Sequence, residues 1–269
     1  MALTRFQREV CRFLGERRIA SGESYIAGGS ALNEITGGGR ISRDLDLFHD
    51  TRTALAATWT ADRDALRRGG FEIEIVQERP AFVEALVRGD ADSVLLQWAH
   101  DSAFRFFPLV AHPELGATLH PFDLATNKVL ALVGRVEARD WIDIMECDAN
   151  IQPLGYLAWA ACGKDPGLSP TSILDHAART THYSQIEIAA LDFEGEPPNA
   201  SIVARRWRVQ LSEAAAIVGL LPAEHVGECI LGEQGLFQGD AEALESALEY
   251  ETLRFHRGSI RGAFPLIVG

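Results

Sequence analysis

Asp44 and Asp46 stand two residues apart in the run Ile41-Ser-Arg-Asp-Leu-Asp-Leu-Phe48. On a β-strand such residues share a face. Aspartate disfavours strands and loses hydration when half buried. A hard cation such as Mg²⁺ takes oxygen ligands and offsets the repulsion between two carboxylates. Upstream, Gly28-Gly29-Ser30 reads as a turn that opens a helix. Glycine lets backbone approach a ligand closely, and a helix N-terminus favours anions. Ser30 adds a hydroxyl. A phosphate-binding turn beside a metal-binding pair of acids is suited to a magnesium-loaded triphosphate. Each motif also has a plain reading: a strand-to-helix turn with Ser30 as N-cap, and an edge strand with an exposed acidic face.

Strand alternation puts Arg40, Ser42, Asp44 and Asp46 on one face and Ile41, Leu45 and Leu47 on the other. Ser42 is placed to bond a phosphate or orient a carboxylate. Arg40 suits a phosphate or a pairing with Asp44. A third group follows His120. Lys128, Arg135 and Arg139 fall at i, i+7 and i+11, so one helical face would collect three cations. Asp143 comes four after Arg139, on the same side. Cations near a carboxylate pair suit a nucleoside triphosphate. The alternative is a solvent face with i, i+4 ion pairs, but Leu130, Ala131, Leu132 and Val133 make this helix too apolar for full exposure. His49, His100, His112 and His120 share no metal spacing. Glu72 and Glu74 read as an exposed strand face, and Trp141, Trp159 and Trp207 as core.

These residues need elements to hold them. Periodicity predicts a helix over residues 3–18, strands at 24–27 and 41–48, and a short helix from Ser30 to Ile35 between them. A helix at 52–69 and strands at 71–76 and 93–99 follow, with 82–87 ambiguous. Residues 101–116 read as loop. Asp123 reads as the N-cap of a helix that passes Lys128 and Arg135 into a second helical piece ending near Asp148. Beyond 150 strand signals almost vanish. Helices are expected at 153–163, 169–179, 182–190, 200–219, 223–230 and 239–257. The expected division is therefore residues 1–150, with sheet and helices, and residues 151–269, all helical.

Composition narrows the function. The chain has 269 residues, 47% hydrophobic and 23% charged, as in ordinary globular proteins. No apolar run approaches the ~20 residues of a membrane span, so no membrane partner is expected. The N-terminus lacks the apolar stretch of a signal peptide. Cys11, Cys147, Cys162 and Cys229 lie far apart, without metal or disulfide spacing. A cytoplasmic location is expected. The net charge is −13, divided as −6 over residues 1–150 and −7 over 151–269. A protein gripping nucleic acid along its length usually carries a basic stripe. Any nucleic-acid contact is therefore expected to be local, such as one end of a folded RNA. Oligomeric state is not legible.

Taken in order, three segments resemble the nucleotidyltransferase family of AbiEii/AbiGii-type toxins, within the polymerase-beta-like nucleotidyltransferase superfamily. They are Gly28-Gly29-Ser30-Ala31-Leu32; Arg40-x-Ser42-x-Asp44-x-Asp46-Leu-Phe48; and Asp123-Leu-Ala-x-Asn-Lys128-x-x-Ala131-x-x-x-Arg135 with Arg139-Asp140-x-x-Asp143. The resemblance covers roughly residues 20–145. It implies an α+β fold, a mixed sheet flanked by helices, followed by a helical C-terminal domain. It also implies transfer of a nucleoside monophosphate from an NTP to an acceptor. By it, Asp44 and Asp46 bind Mg²⁺, Gly28, Gly29 and Ser30 contact the triphosphate, Lys128 contacts phosphate, and Asp143 is essential. Arg40, Ser42, Arg135 and Arg139 are further candidates for the nucleotide. Family members act as toxins of toxin–antitoxin or phage-defence systems, some by adding nucleotides to tRNA ends, so an RNA end and an antitoxin protein are the implied partners. One departure stands out. Gln97 occupies the place where members often carry a third carboxylate, leaving Asp143, Glu74 or Asp101 as substitutes. The other readings are a small-molecule adenylyltransferase of the antibiotic-modifying kind, and a nucleotide-binding module with little or no turnover.

Overall fold

The computed structural model describes residues 3–135, 137–179 and 182–265. In chain order the elements are α1 (Arg5–Ser21), β1 (Ser24–Ala27), α2 (Gly28–Thr36), β2 (Asp44–His49), α3 (Arg52–Arg68), β3 (Glu72–Arg79), β4 (Phe82–Arg88), β5 (Ser93–His100), β6 (Phe104–Arg105), β7 (Val110–His112) and β8 (Gly116–Thr118). They continue with α4 (Pro121–Arg135), α5 (Ala138–Asn150), α6 (Leu154–Ala161), α7 (Pro170–Ala178), α8 (Gln185–Ala189), α9 (Ala200–Leu220), β9 (Glu228–Gly232), β10 (Gly235–Leu236), α10 (Ala241–Glu249), β11 (Arg254–Arg257) and β12 (Ser259–Ile260).

Two compact units emerge, Met1–Ala103 with Pro108–His120, and Phe104–Phe107 with Pro121–Gly269. The division falls at His120 rather than near 150. Composition places α4 and α5 with the sheet, whereas they pack with the helices that follow them.

The first unit is built on a seven-stranded mixed sheet in the order β3-β4-β5-β2-β1-β8-β7. β2 runs parallel to β5 and antiparallel to β1. Period-2 patterning fixes its faces: Leu45, Leu47, Val83, Ala85, Leu96 and Trp98 are buried on one side. Helices α1 and α3 cover that side. Trp59 of α3 packs on Trp98 at 4.8 Å between ring centroids. The indole of Trp98 donates to Asp62 (3.0 Å), which also faces Arg18 of α1 at 3.8 Å. The ambiguous segment 82–87 is a regular inner strand, β4, paired on both sides. Its neighbour β3 is an edge strand and largely exposed, which is why its alternation carries so little burial.

The second unit is helical with a small three-stranded sheet, β10-β9-β11. The helices expected at 223–230 and 239–257 are therefore partly strand. The first is a 3-10 turn followed by β9, and the second shortens to α10 followed by β11. β9 is short and almost wholly buried, and β11 has only four residues, so neither carries a readable period. Tyr156 and Trp159 of α6, Ile217 of α9, Leu221, Ile230 of β9 and Leu244 of α10 form this unit's core. Trp141 and Trp207 are also fully buried, as core residues rather than stacking platforms. All four cysteines are buried and unpaired. Among the described residues no helix is long and apolar enough to cross a membrane.

Candidate active site

Within the first unit, the turn from β1 into α2 lies against β2. Ala27 pairs with Asp46 across the two strands. Gly28 then adopts φ +72°, a left-handed conformation that L side chains rarely adopt. A β-carbon there would lie 1.9 Å from Oδ2 of Asp46, so the absence of a side chain at 28 is what lets this carboxylate sit on the turn. Position 29 is similarly filled from outside: a β-carbon would lie 2.6 Å from Nη2 of Arg40 and 3.2 Å from Oγ of Ser42. Helix α2 begins at Gly28 after Ala27, and no side chain caps it. Uncapped first-turn N–H groups are a site for an anion.

Ser30 lies in the first turn of α2 rather than at its N-cap. It is fully buried, and its Oγ has no hydrogen-bond partner; both amide atoms of Asn33, one turn on, share that condition. A buried hydroxyl without a partner is costly, on the order of 1–3 kcal/mol.

Asp44 and Asp46 are half-exposed on the sheet face opposite Leu45 and Leu47. The strand begins only at Asp44, so Arg40 and Ser42 do not extend its face as alternation predicts. They precede it, both nearly buried, and reach the site through the loop. Ser42 Oγ donates to Asp44 Oδ1 (3.2 Å), and Gln7 of α1 donates to the Ser42 carbonyl (2.7 Å). These bonds fix Asp44 from behind.

On β5, Gln97 is the residue registered with Asp46, and on β4 Glu84 is registered with Gln97. Gln97 Nε2 donates to Glu84 Oε1 (2.7 Å). Asp46, Gln97 and Glu84 thus form one row across three strands. Sequence reasoning missed Glu84, because its strand was ambiguous. Among the described residues no three His, Cys, Asp or Glu side chains converge to hold a metal. The hard-oxygen pair available is Asp44 and Asp46. With an unpartnered buried hydroxyl and an uncapped helix start alongside, the donor set is chemically suited to Mg²⁺ bound to phosphate.

The second unit carries the cationic group. The three-cation helical face does not exist, because α4 ends at Arg135 and α5 starts at Ala138. Arg139 lies on the second helix and pairs with Glu137 (2.6 Å). Lys128 and Arg135 converge instead on Asp140, which is fully buried. Lys128 Nζ lies 3.0 Å from Asp140 and 3.0 Å from Asp143, and Arg135 Nε lies 2.6 Å from Asp140. Burial works against the Lys128 ammonium, but Asp143 and Asp140 outweigh it and hold its pKa above the ordinary lysine value. Burial likewise opposes the Asp140 carboxylate, and Arg135 and Lys128 outweigh it and hold its pKa low. Asp140, which sequence reasoning passed over, is therefore the hub of this cluster.

Asp123 is not an N-cap. It sits inside the first turn of α4, fully buried, and accepts from the backbone N–H of Phe106 (2.9 Å) and Phe107 (3.0 Å). It also pairs with Lys164 at 2.8 Å.

No protein-family model and no curated protein sequence matches the chain. Solved structures do match in fold. MenT4, a nucleotidyltransferase toxin from Mycobacterium tuberculosis H37Rv, superposes with TM-score 0.55 at 14% identity, covering 81% of this chain and 85% of MenT4. JHP933 from Helicobacter pylori superposes with TM-score 0.54 at 13% identity, covering 81% and 95%. At such identities the likeness is one of fold. This chain has the nucleotidyltransferase-type α+β fold expected from its motifs.

Proposed function

We propose that the protein is a nucleotidyltransferase that moves a nucleoside monophosphate from an NTP to an acceptor hydroxyl. The observation that carries this reading is the seating of Asp46 on the glycine turn. Two carboxylates on one strand face, beside an uncapped helix start, suit the two charges of a metal-bound triphosphate. Asp44 and Asp46 are assigned to Mg²⁺, which when bound supplies charge neutralisation at the triphosphate. Gly28, Gly29 and Ser30 are assigned to the β- and γ-phosphates, with Arg40 and Ser42 shaping the turn from behind. Lys128 and Asp143 enter the proposal on their chemistry alone: a lysine kept charged by two carboxylates suits a polyanion, and Asp143 orients it. Arg135 and Arg139 have ion-pair partners, so a nucleotide would compete with Asp140 and Glu137 for them.

The reaction needs little covalent help from the protein. Positioning and charge stabilisation dominate phosphoryl transfer. The acceptor assigned is an RNA end, that of tRNA foremost, because an acidic surface without a basic stripe suits a local contact better than a long one. The likeness in fold to a nucleotidyltransferase toxin supports a toxin role, with an antitoxin as protein partner, in the cytoplasm.

Purified protein incubated with each labelled NTP, Mg²⁺ and total RNA tests the reading. Label is expected in RNA with the wild type, and at least about 100-fold less with Asp46→Ala, the usual scale for losing transition-state charge stabilisation. Equal incorporation by both proteins would remove Asp46 from the chemistry.

A further inference from the structure

We infer that one face of helix α9 holds the sugar–phosphate backbone of an RNA, with Ser201, Arg205, Arg208 and Ser212 as its donors. The choice of RNA as occupant rests on the nucleotidyl-transfer reading above.

Packing fixes which way α9 turns. Its buried residues are Val203, Ala204, Trp207, Gln210, Ala214 and Ile217. The Trp207 ring meets that of Trp141 on α5 edge-on, at 6.1 Å between centroids. Arg206 Nη2 donates to the Met145 carbonyl (3.2 Å), and Gln210 Nε2 donates to Asp148 Oδ2 (2.7 Å). At 3.6 residues per turn, the opposite side presents Ser201, Arg205, Arg208 and Ser212 in one line, in steps of four, three and four. All four are exposed. At 1.5 Å per residue the line runs about 16 Å along the helix.

Partners single out this line. In the second unit Lys128, Arg135, Arg139, Lys164 and Arg257 pair with carboxylates. Among the described Lys and Arg side chains of that unit, Arg205 and Arg208 are the two with neither an ion pair nor a hydrogen bond. No position three or four away from either on α9 is acidic, although the chain holds 38 Asp and Glu. Two cations one turn apart repel each other, so their own helix gains nothing from them. A polyanion from outside supplies the missing charge.

The chemistry of the line favours RNA over an acidic protein. Guanidiniums and hydroxyls are donors for phosphate and ribose oxygens, and the guanidinium fork matches a phosphate with two parallel bonds. A protein partner is held chiefly by apolar anchors at the centre of its contact. Here the exposed aliphatics, Ile202 and Val209, stand to one side of the line. Two arginines make a short contact, which is what an acidic chain without a long basic stripe allows.

The test measures binding of labelled total bacterial tRNA to the full chain at fixed Mg²⁺, from 0.05 to 1 M KCl. Each phosphate neutralised contributes about 0.7–0.9 to the slope of log affinity against log salt. Arg205→Gln/Arg208→Gln is expected to flatten that slope by about 1.5, with an affinity loss of about 30-fold at 0.1 M that vanishes near 1 M. Arg205→Lys/Arg208→Lys should restore most of the slope, because counterion release follows charge. Ser212→Lys adds a cation to the line and should steepen the slope by about 0.8, which decides the matter if the glutamine variant folds poorly. Equal affinity and slope in wild type and the glutamine variant overturn the inference, as does a lysine variant no better than glutamine. So does a glutamine variant that loses binding to poly-glutamate while its tRNA binding is untouched, since the face then belongs to an acidic protein. Nucleotide transfer is followed alongside. A wild type that labels RNA while the α9 changes leave tRNA binding unmoved ends the inference alone. A wild type that transfers no nucleotide, yet shows the expected α9 effects, ends the nucleotidyl-transfer reading and leaves the RNA-binding face in place.

Discussion

Oδ2 of Asp46 lies 1.9 Å from the place where a β-carbon at Gly28 would project. One glycine therefore serves two ends: it permits φ +72° in the turn, and it leaves room for the carboxylate.

Gly28→Ala separates these effects. The positive φ costs roughly 1–3 kcal/mol in a non-glycine residue. The carboxylate, at the end of a short side chain, must also move. The variant is expected to lose Mg²⁺-dependent NTP binding while remaining folded. In Gly28→Ala/Asp46→Ala the collision with the carboxylate is gone, so the combined stability loss, read by urea unfolding, should be smaller than the sum of the single losses.

The Lys128 cluster makes a second prediction. Removing one partner of a buried ion pair costs about 3–5 kcal/mol, because the remaining charge is left in a poor solvent. Lys128→Met is expected to fall in that range by denaturant unfolding, and Lys128→Met/Asp143→Asn to recover part of the loss. The pH signs follow from the shifts. The raised pKa of Lys128 gives stability that is complete below the ordinary lysine value and disappears as pH rises through the folded one. The lowered pKa of Asp140 gives stability present above the ordinary aspartate value and lost as pH falls through the folded one.

His49, at the end of β2, predicts an acid-side slope. Burial pushes its pKa down to about 4, against a bond to the Ala99 carbonyl that partly restores it. Between the ordinary histidine value and about 4 the unfolded chain binds more protons, so stability falls as pH falls through that window and levels off below it. The full effect is on the order of 3 kcal/mol. The difference in unfolding free energy between wild type and His49→Gln, followed from pH 7.5 to 4.5, should change by roughly that amount. A flat difference would show that His49 titrates alike in the folded and unfolded states, so that burial does not lower its pKa.

Asp123 distinguishes two readings of one residue. An N-cap lost to alanine costs about 1 kcal/mol. A buried carboxylate holding two backbone N–H groups and Lys164 costs about 3–5 kcal/mol when removed. Asp123→Ala is expected at the higher figure, with Asp123→Asn between the two, because its amide retains one acceptor.

The sequence by itself determined most elements of the first unit, though not β4, β7 or β8, and the strand that carries Asp44 and Asp46 on one face. Strand periodicity, glycine turns and the Asp-x-Asp spacing are local properties, and local geometry decides which face a side chain takes. The boundaries were less legible: β2 begins at Asp44 rather than at residue 41, and α2 opens at Gly28 rather than at Ser30. What only the tertiary structure decided depends on partners far along the chain. Whether Arg40 and Ser42 extend a strand or fold in behind a turn is set by Gly29 and Gln7. Whether Lys128 shares a face with Arg139 is set by the break between α4 and α5. Whether Asp123 caps a helix or anchors Phe106 and Phe107 depends on those two residues folding back onto α4, where Lys164 pairs with the same carboxylate. The row from Asp46 through Gln97 to Glu84 joins β2 to the hairpin of β4 and β5, more than thirty residues later. No spacing within one segment reports such a row, because strand register is fixed by the burial of the opposite face.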